Sequence, residues 1–501
     1  MGRGGGRECN RVRLLFSIFK TLFVLVACVC LIHAQDQQTT PRPIIERPSQ
    51  TPAIPPSPGA ESLRAPSSLV RQTNLPGAAK ISSAPAQLSL GDAIRLALAN
   101  NLSTLLADEQ RRSAKGVVQE ARSALLPNIS GTAYQADITS NLAALGFQPS
   151  TFPGITRSFL GPFKNFDARA QLVQNILDFS AIRNYQSSRE GVRLAEFQQQ
   201  LAREQVSEAT AITYLEALRS DRNVTAALAN VELAVALLQL ARDQRNAGVA
   251  TGVDVTRAET RLAQEQVGLA QAEIAAEQAR LDLQRVIGVS LGSELMLSDA
   301  LAFTAEALPQ PETAVSDALS HRAEVLISEA QLNVFALERK AVRDELLPSL
   351  QFFGDYGVSG ITPTDSALPT RRLALQLNVP IFNGGLTQGR LTVATSREHQ
   401  AELQLGSVRG QVEQDVRLAI SAMRIGVERV RAADQSFELA QRELEMSSDR
   451  FRAGVADNLE VINAQTSLAN ARAAQVEALA IYNAARLNLA AAMGRAETFR
   501  W

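Results

Sequence analysis

Ala247-Gly248-Val249-Ala250-Thr251-Gly252-Val253-Asp254-Val255-Thr256-Arg257-Ala258 returns later in the chain as Ala453-Gly454-Val455-Ala456-Asp457-Asn458-Leu459-Glu460-Val461-Ile462-Asn463-Ala464. The two stretches agree at six of twelve positions. Self-similarity at so long a spacing marks a duplicated chain and not two unrelated domains. In each copy a Gly ends a long run without proline, and an acidic residue opens the next run. One helix stops there and another turns back.

Working outward, the runs before the glycines cover roughly 181 to 246 and 386 to 452 and are rich in Ala, Leu, Gln, Glu and Arg. Leu233, Leu237 and Leu240 have the spacing of helix packed on helix. About 66 residues at about 1.5 Å each make a rod of roughly 100 Å. The return helices are expected over about 254 to 288 and 458 to 493. Each half also opens with a helical segment, roughly 90 to 126 and 315 to 347, containing Ala97-Leu98 or Ala318-Leu319. Leu125-Leu126-Pro127 and Leu346-Leu347-Pro348 close these segments, because proline forbids continuation. Opening and return helices, stacked end to end, match the long helix in length, which suits a uniform cylinder of coiled rods.

Strands follow each proline. Leu350, Phe352, Gly354, Tyr356 and Val358 share one face, and Gln351, Phe353, Asp355 and Gly357 the other. After a Gly-, Pro- and Ser-rich loop, Leu373, Leu375, Leu377, Val379 and Ile381 alternate with Arg372, Ala374, Gln376 and Asn378. The first half places its strands near 128 to 138 and 166 to 178, with weaker alternation.

Before the repeats the chain reads as an address and a tether. Arg3, Arg7, Arg11 and Arg13 precede an apolar stretch from Thr21 to Ile32, and Ala34 suits a cleavage site. Leu25-Val26-Ala27-Cys28 also resembles a lipoprotein lipobox, which would leave Cys28 lipidated at the mature N-terminus. Cys9, Cys28 and Cys30 are the only cysteines, so a processed chain needs another source of stability than disulfides. Residues 35 to 86 hold ten of the twenty prolines and cannot bury a core. The expected domains are thus a leader over 1–34, a Pro-rich linker over 35–86, and repeats over 87–300 and 301–501.

Charge is balanced, with 50 Lys plus Arg against 51 Asp plus Glu, so nothing points to a nucleic-acid partner. No Gly-rich loop with Lys and Ser or Thr suggests a nucleotide site, and no cofactor is expected. His321 and His399 have no Cys or third His near them in sequence, which argues against a metal site. After the leader no run approaches 18 apolar residues, so no membrane-spanning helix is expected. A closed barrel of strands is the other way across lipid. One chain offers four strands where bacterial barrels begin at about eight, so the barrel must be shared between copies. The expected fold class is mainly α, with long helical hairpins and four strands per protomer, internally duplicated.

Over about 88 to 495 the sequence resembles the TolC-like outer-membrane efflux proteins. The resemblance rests on Leu88-Ser89-Leu90-Gly91-Asp92-Ala93-Ile94, on the two Leu-Leu-Pro closures, on Val379-Pro380-Ile381-Phe382-Asn383-Gly384-Gly385, and on the two Ala-Gly-Val tips, in order and duplicated. It implies a homotrimer with a twelve-stranded barrel in the outer membrane and a helical barrel in the periplasm. Its tips would dock on a periplasmic adaptor joined to an inner-membrane pump that supplies the energy. A structural coiled coil or an adaptor is the competing reading, although an adaptor should carry one hairpin flanked by β-modules.

By the same resemblance the two tips line the periplasmic entrance. Gly248 and Gly454 would reverse the rods, and Val249 and Val455 are candidate adaptor contacts or simply turn residues. Glu460, Asp254 and Asp457 would become carboxylate rings in a trimer, where a narrow axis focuses potential and attracts cations. Helix capping is the alternative for all three. The best-known family member closes this mouth with a Tyr, an Arg and paired aspartates. Phe451 stands at the Tyr position, Ala456 at the Arg and Asn463 at the second Asp. Closure is therefore expected to be either looser or made by other pairs, with Arg452, Arg245 and Arg257 as candidates.

Overall fold

The computed structural model describes residues 77–82, 87–142, 144 and 159–500. The chain divides into units 1–67 and 68–501, and every described residue belongs to the second. The expected leader, Cys28 and Trp501 lie outside the described residues, as does the linker up to residue 76.

The fold class is as expected, a mainly helical, internally duplicated chain with a four-stranded sheet. The first repeat runs β1 (Gln87–Leu88), α1 (Leu90–Asn100), α2 (Leu102–Ser123), β2 (Asn128–Asn141), β3 (Phe159–Leu177), α3 (Phe179–Asn246) and α4 (Gly252–Ile287). The second runs β4 (Met296–Leu297), α5 (Pro311–His321), α6 (Ala323–Asp344), β5 (Ser349–Gly360), β6 (Leu368–Asn378), α7 (Leu386–Arg452) and α8 (Asn458–Ala492). The long helices α3 and α7 have 68 and 67 residues, which at about 1.5 Å per residue gives rods of roughly 100 Å.

One expectation needs correction. The opening segment of each half is two helices, broken at Asn101 (φ −68°, ψ 138°) and at the equivalent Arg322 (φ −65°, ψ 130°). The breaks fall where the return helix of the same repeat arrives. Asn100 Nδ2 donates to Ile287 O at 3.1 Å, and a Cβ on Gly494 would stand 3.5 Å from Arg322 Cα. The chain steps sideways there, and the Asn101 side chain restarts α2 by accepting from Ser103 N at 2.9 Å.

Around these junctions the short elements wrap the middle of the long helices. Leu88, Leu90 and Ile94 pack with Tyr214, Leu283, Ile287 and Leu487. In the second repeat Val315, Ala318 and Val325 pack with Val416, Met423 and Tyr482. The Tyr214 hydroxyl lies 2.9 Å from Leu88 O and 2.8 Å from Asp299 Oδ2, which satisfies it where burial would otherwise be costly.

Below this belt the helices form one layer in the order α4, α3, α8, α7, and above it α2, α3, α6, α7. The sheet runs β2-β3-β5-β6, antiparallel throughout. Its register puts Ile129, Ala168, Phe352 and Leu375 on one face and Ser130, Gln171, Asp355 and Arg372 on the other. The first face is mainly apolar and the second mainly polar.

A second expectation fails on α3, which contains an 18-residue window apolar enough to span a bilayer, with 17% of that window buried. Leu233, Leu237 and Leu240 within α3 pack instead against the α7–α8 hairpin around Phe451, Val461 and Leu468. Its apolar character serves helix-on-helix packing.

Candidate functional site at the hairpin tips

Both rods reverse by the same hydrogen-bond pattern. Gly248 (φ 76°) donates to Arg245 O at 3.0 Å and Val249 N to Gln244 O at 3.0 Å. Gly454 (φ 68°) donates to Phe451 O and Val455 N to Arg450 O, both at 3.0 Å. This is a Schellman end, in which a left-handed residue lets two amides satisfy the last carbonyls of the helix. Both positions need glycine for that backbone. The valine after each is left more than half exposed.

The return helices start by two different caps. Thr251 N and Oγ1 both donate to Asp254 Oδ2, at 2.8 and 2.7 Å, and Arg257 approaches the same carboxylate at 3.5 Å. The Thr251 hydrogen bonds, aided by Arg257, hold the Asp254 carboxyl below its ordinary value. Asp457 instead caps α8 by accepting from Glu460 N at 3.2 Å. Glu460 is only half-buried and pairs with Arg450 at 3.2 Å. Of the three carboxylates named from sequence, two are engaged in capping and Glu460 stands free of the backbone.

The two tips are joined. Asn458 Nδ2, buried, donates to Asp254 O at 2.7 Å, and Gln244 Nε2 donates to Arg452 O at 3.2 Å. Sequence reading missed Asn458 and Gln244. A signal existed for the first: Asp457 already caps α8, so the amide-bearing Asn458 beside it is surplus to the cap and available for a neighbour. Phe451 is buried among Leu444, Val461 and Ala464, inside the hairpin pair. Arg452 pairs with Asp449 at 3.1 Å, Asn463 is exposed and Ala456 is partly covered. Between α4 and α8 lies an open groove of about 950 Å³, lined by Val253, Leu459 and Ile462 and by Arg245, Arg257 and Arg261. Arg245 makes no ion pair among the described residues.

The described residues contain no group of three or more His, Cys, Asp or Glu placed to hold a metal. The tips present carboxylates, guanidiniums and exposed valines on a paired hairpin.

The family model for outer membrane efflux proteins matches residues 93–289 and 314–495. The cobalt-zinc-cadmium resistance protein CzcC of Cupriavidus metallidurans is 32% identical over 26% of this chain and 32% of its own length. Outer membrane protein TolC of Escherichia coli is 25% identical over 77% of this chain and 78% of its own. For three curated relatives, CzcC among them, the matched stretch spans 32%, 52% and 62% of the relative's length. Among solved structures, the CmeC outer membrane channel of Campylobacter jejuni superposes with a TM-score of 0.71 at 19% identity, covering 81% of this chain and 86% of that one. The likeness in structure is one of fold, and the family match covers both repeats and both tips. The chain belongs to the outer membrane efflux protein family, and the outer membrane is where it resides.

Proposed function

We propose that three copies of the chain close into a passive duct, which crosses the outer membrane through a shared barrel and continues into the periplasm as a cylinder of helices. Three copies of a four-stranded sheet supply twelve strands. The energy comes from an inner-membrane pump reached through a periplasmic adaptor that meets Val249 and Val455, and Glu460 forms the acidic ring of the entrance. Asp254 and Asp457 add negative potential while serving as caps. The same reading takes 1–34 as a leader, or Cys28 as a lipidated terminus, 35–86 as a tether, and 87–300 and 301–501 as the repeats.

The observation that carries it is that the protomer has two unsatisfied edges. β2 and β6 each pair on one side only, and in hydrocarbon an open strand edge is not tolerated. The helical layer has matching edges in α4 and α7. On the side of α4 away from α3, Val253, Val267, Ile274 and Leu281 stand 37% to 61% exposed at spacings of seven or fourteen residues. On α7, Leu418, Ile425, Leu439 and Met446 do the same at 54% to 63%, on the side away from α8. Laid antiparallel with the tips level, the two stripes interleave, each with a repeat of about 10 Å or twice that. An edge that fits the opposite edge of its own copy makes a head-to-tail ring.

Planar-bilayer recording from the purified full-length chain, with native mass spectrometry of the same sample, tests this. The expected result is three copies and a ligand-independent conductance. A monomer without conductance overturns it.

A further inference from the structure

In the duct proposed above, the polar face of the sheet becomes the wall of the water-filled passage, and any site on that wall depends on the duct being there. On this face the described strand residues carry four charged side chains, Asp167, Arg169, Asp355 and Arg372. The other charged strand residues, Asp137, Lys164 and Arg371, fall on the lipid face by alternation.

The four form one connected arch across β3, β5 and β6. Arg169 Nε donates to Asp167 at 2.5 Å, and Nη1 reaches Asp355 on the next strand at 3.3 Å. Arg372 Nε donates to the other oxygen of Asp355 at 3.0 Å, with its guanidinium 5.1 Å from the centre of the Phe353 ring. Gly357 lies opposite Arg169 in register, and a Cβ there would stand 2.5 Å from the Arg169 Cβ. The missing side chain leaves room for the crossing.

The arch is layered by charge. The Asp355 and Asp167 side chains are 2% and 7% exposed, whereas that of Arg372 is 65% exposed. Arg372 spends only Nε on its ion pair, so both terminal nitrogens face the passage as free donors. Pairing β6 with β2 of another copy brings no carboxylate to it, because the polar face of β2 is Asn128, Ser130, Thr132, Tyr134, Ala136 and Ile138. The passage thus meets the Arg372 guanidinium first, with both carboxylates beneath it and closed to direct contact.

We propose that Arg372, braced by this arch and stacked on Phe353, is an anion-contacting site on the barrel wall, recognising inorganic anions and the carboxylate or phosphate groups of passing cargo. Three copies make a ring whose sign is opposite to that of the acidic entrance.

The test is the reversal potential of full-length channels in a KCl gradient. R372Q should lower the chloride-to-potassium permeability ratio by about twofold, the effect of three screened unit charges about 10 Å from the axis. R372K should keep the parent ratio, and R371Q, on the lipid face, should not change it. An unchanged ratio in R372Q, or an equal change in R371Q, overturns the proposal. Should R372Q not assemble, tripolyphosphate on the extracellular side of the parent channel decides: concentration-dependent block supports the site, and no block at millimolar concentration overturns it. A parent chain without any conductance removes the duct reading itself, which separates that failure from this one.

Discussion

At the scale of single residues, position in the fold divides carboxylates that look alike in the sequence. Asp254 and Asp457 are caps, while Glu460 projects beside Arg450 with its carboxylate uncommitted to the backbone. E460Q should therefore weaken cation preference and multivalent-cation block in single-channel records by about twofold, since a ring of three screened charges is removed. Unchanged block would remove Glu460 from the entrance. Glu204 on α3 behaves differently again. Burial pushes its carboxyl up to about 7, with Glu324 and Glu497 adding to the rise and Gln200 and Arg322 opposing it. A carboxyl whose folded value lies above its unfolded 4.5 contributes stability below 4.5, and that contribution is lost as pH rises through about 7. Heated at pH 5, 6, 7 and 8, the parent should lose thermal stability relative to E204Q across this window. Parallel melting curves would contradict the assignment. The glycines and carboxylates of the tips were legible in the sequence, because turn chemistry is local. The bond from Asn458 to Asp254 O was not, since it joins residues 204 apart in sequence.

At the scale of elements, the sequence carries the rods nearly to the residue: α7 and α8 span 386–452 and 458–492, against expected ranges of about 386 to 452 and 458 to 493. Hydrophobic period and Gly stops act within a few turns, and so can be read from one segment alone. The breaks at Asn101 and Arg322 could not, because neither Pro nor Gly stands there and the cause is another helix arriving from elsewhere in the chain. The strand arch was equally hidden: Asp355 and Arg372 could be placed on faces, but their meeting with Arg169 depends on the pairing of β3 with β5 across the two repeats. The edge stripes give a prediction at this scale. I274E on α4 or I425E on α7 removes an apolar contact of about 2 kcal/mol per seam and buries a charge in its place. Native mass spectrometry should find the trimer reduced or absent, and a trimer as heat-resistant as the parent would place the seam elsewhere.

For the whole molecule, the tips and the barrel should be separable functions. V249Q and V455Q together should abolish cross-linking to the adaptor and export in cells, while single-channel conductance stays at the parent value, because no charge is added at the mouth and the barrel and the helix seams are untouched. Export retained with both substitutions would take the valines out of the contact. The junctions have a mechanical consequence. In each repeat the return helix butts against the next short helix at the belt, while α3 or α7 passes that level unbroken. This is the staggered jointing of brickwork, where no course ends above the end of another. Two continuous beams therefore pass the belt in each protomer, with a jointed member beside each. Each joint is thereby splinted by an unbroken neighbour, so the rod has no level at which every member ends.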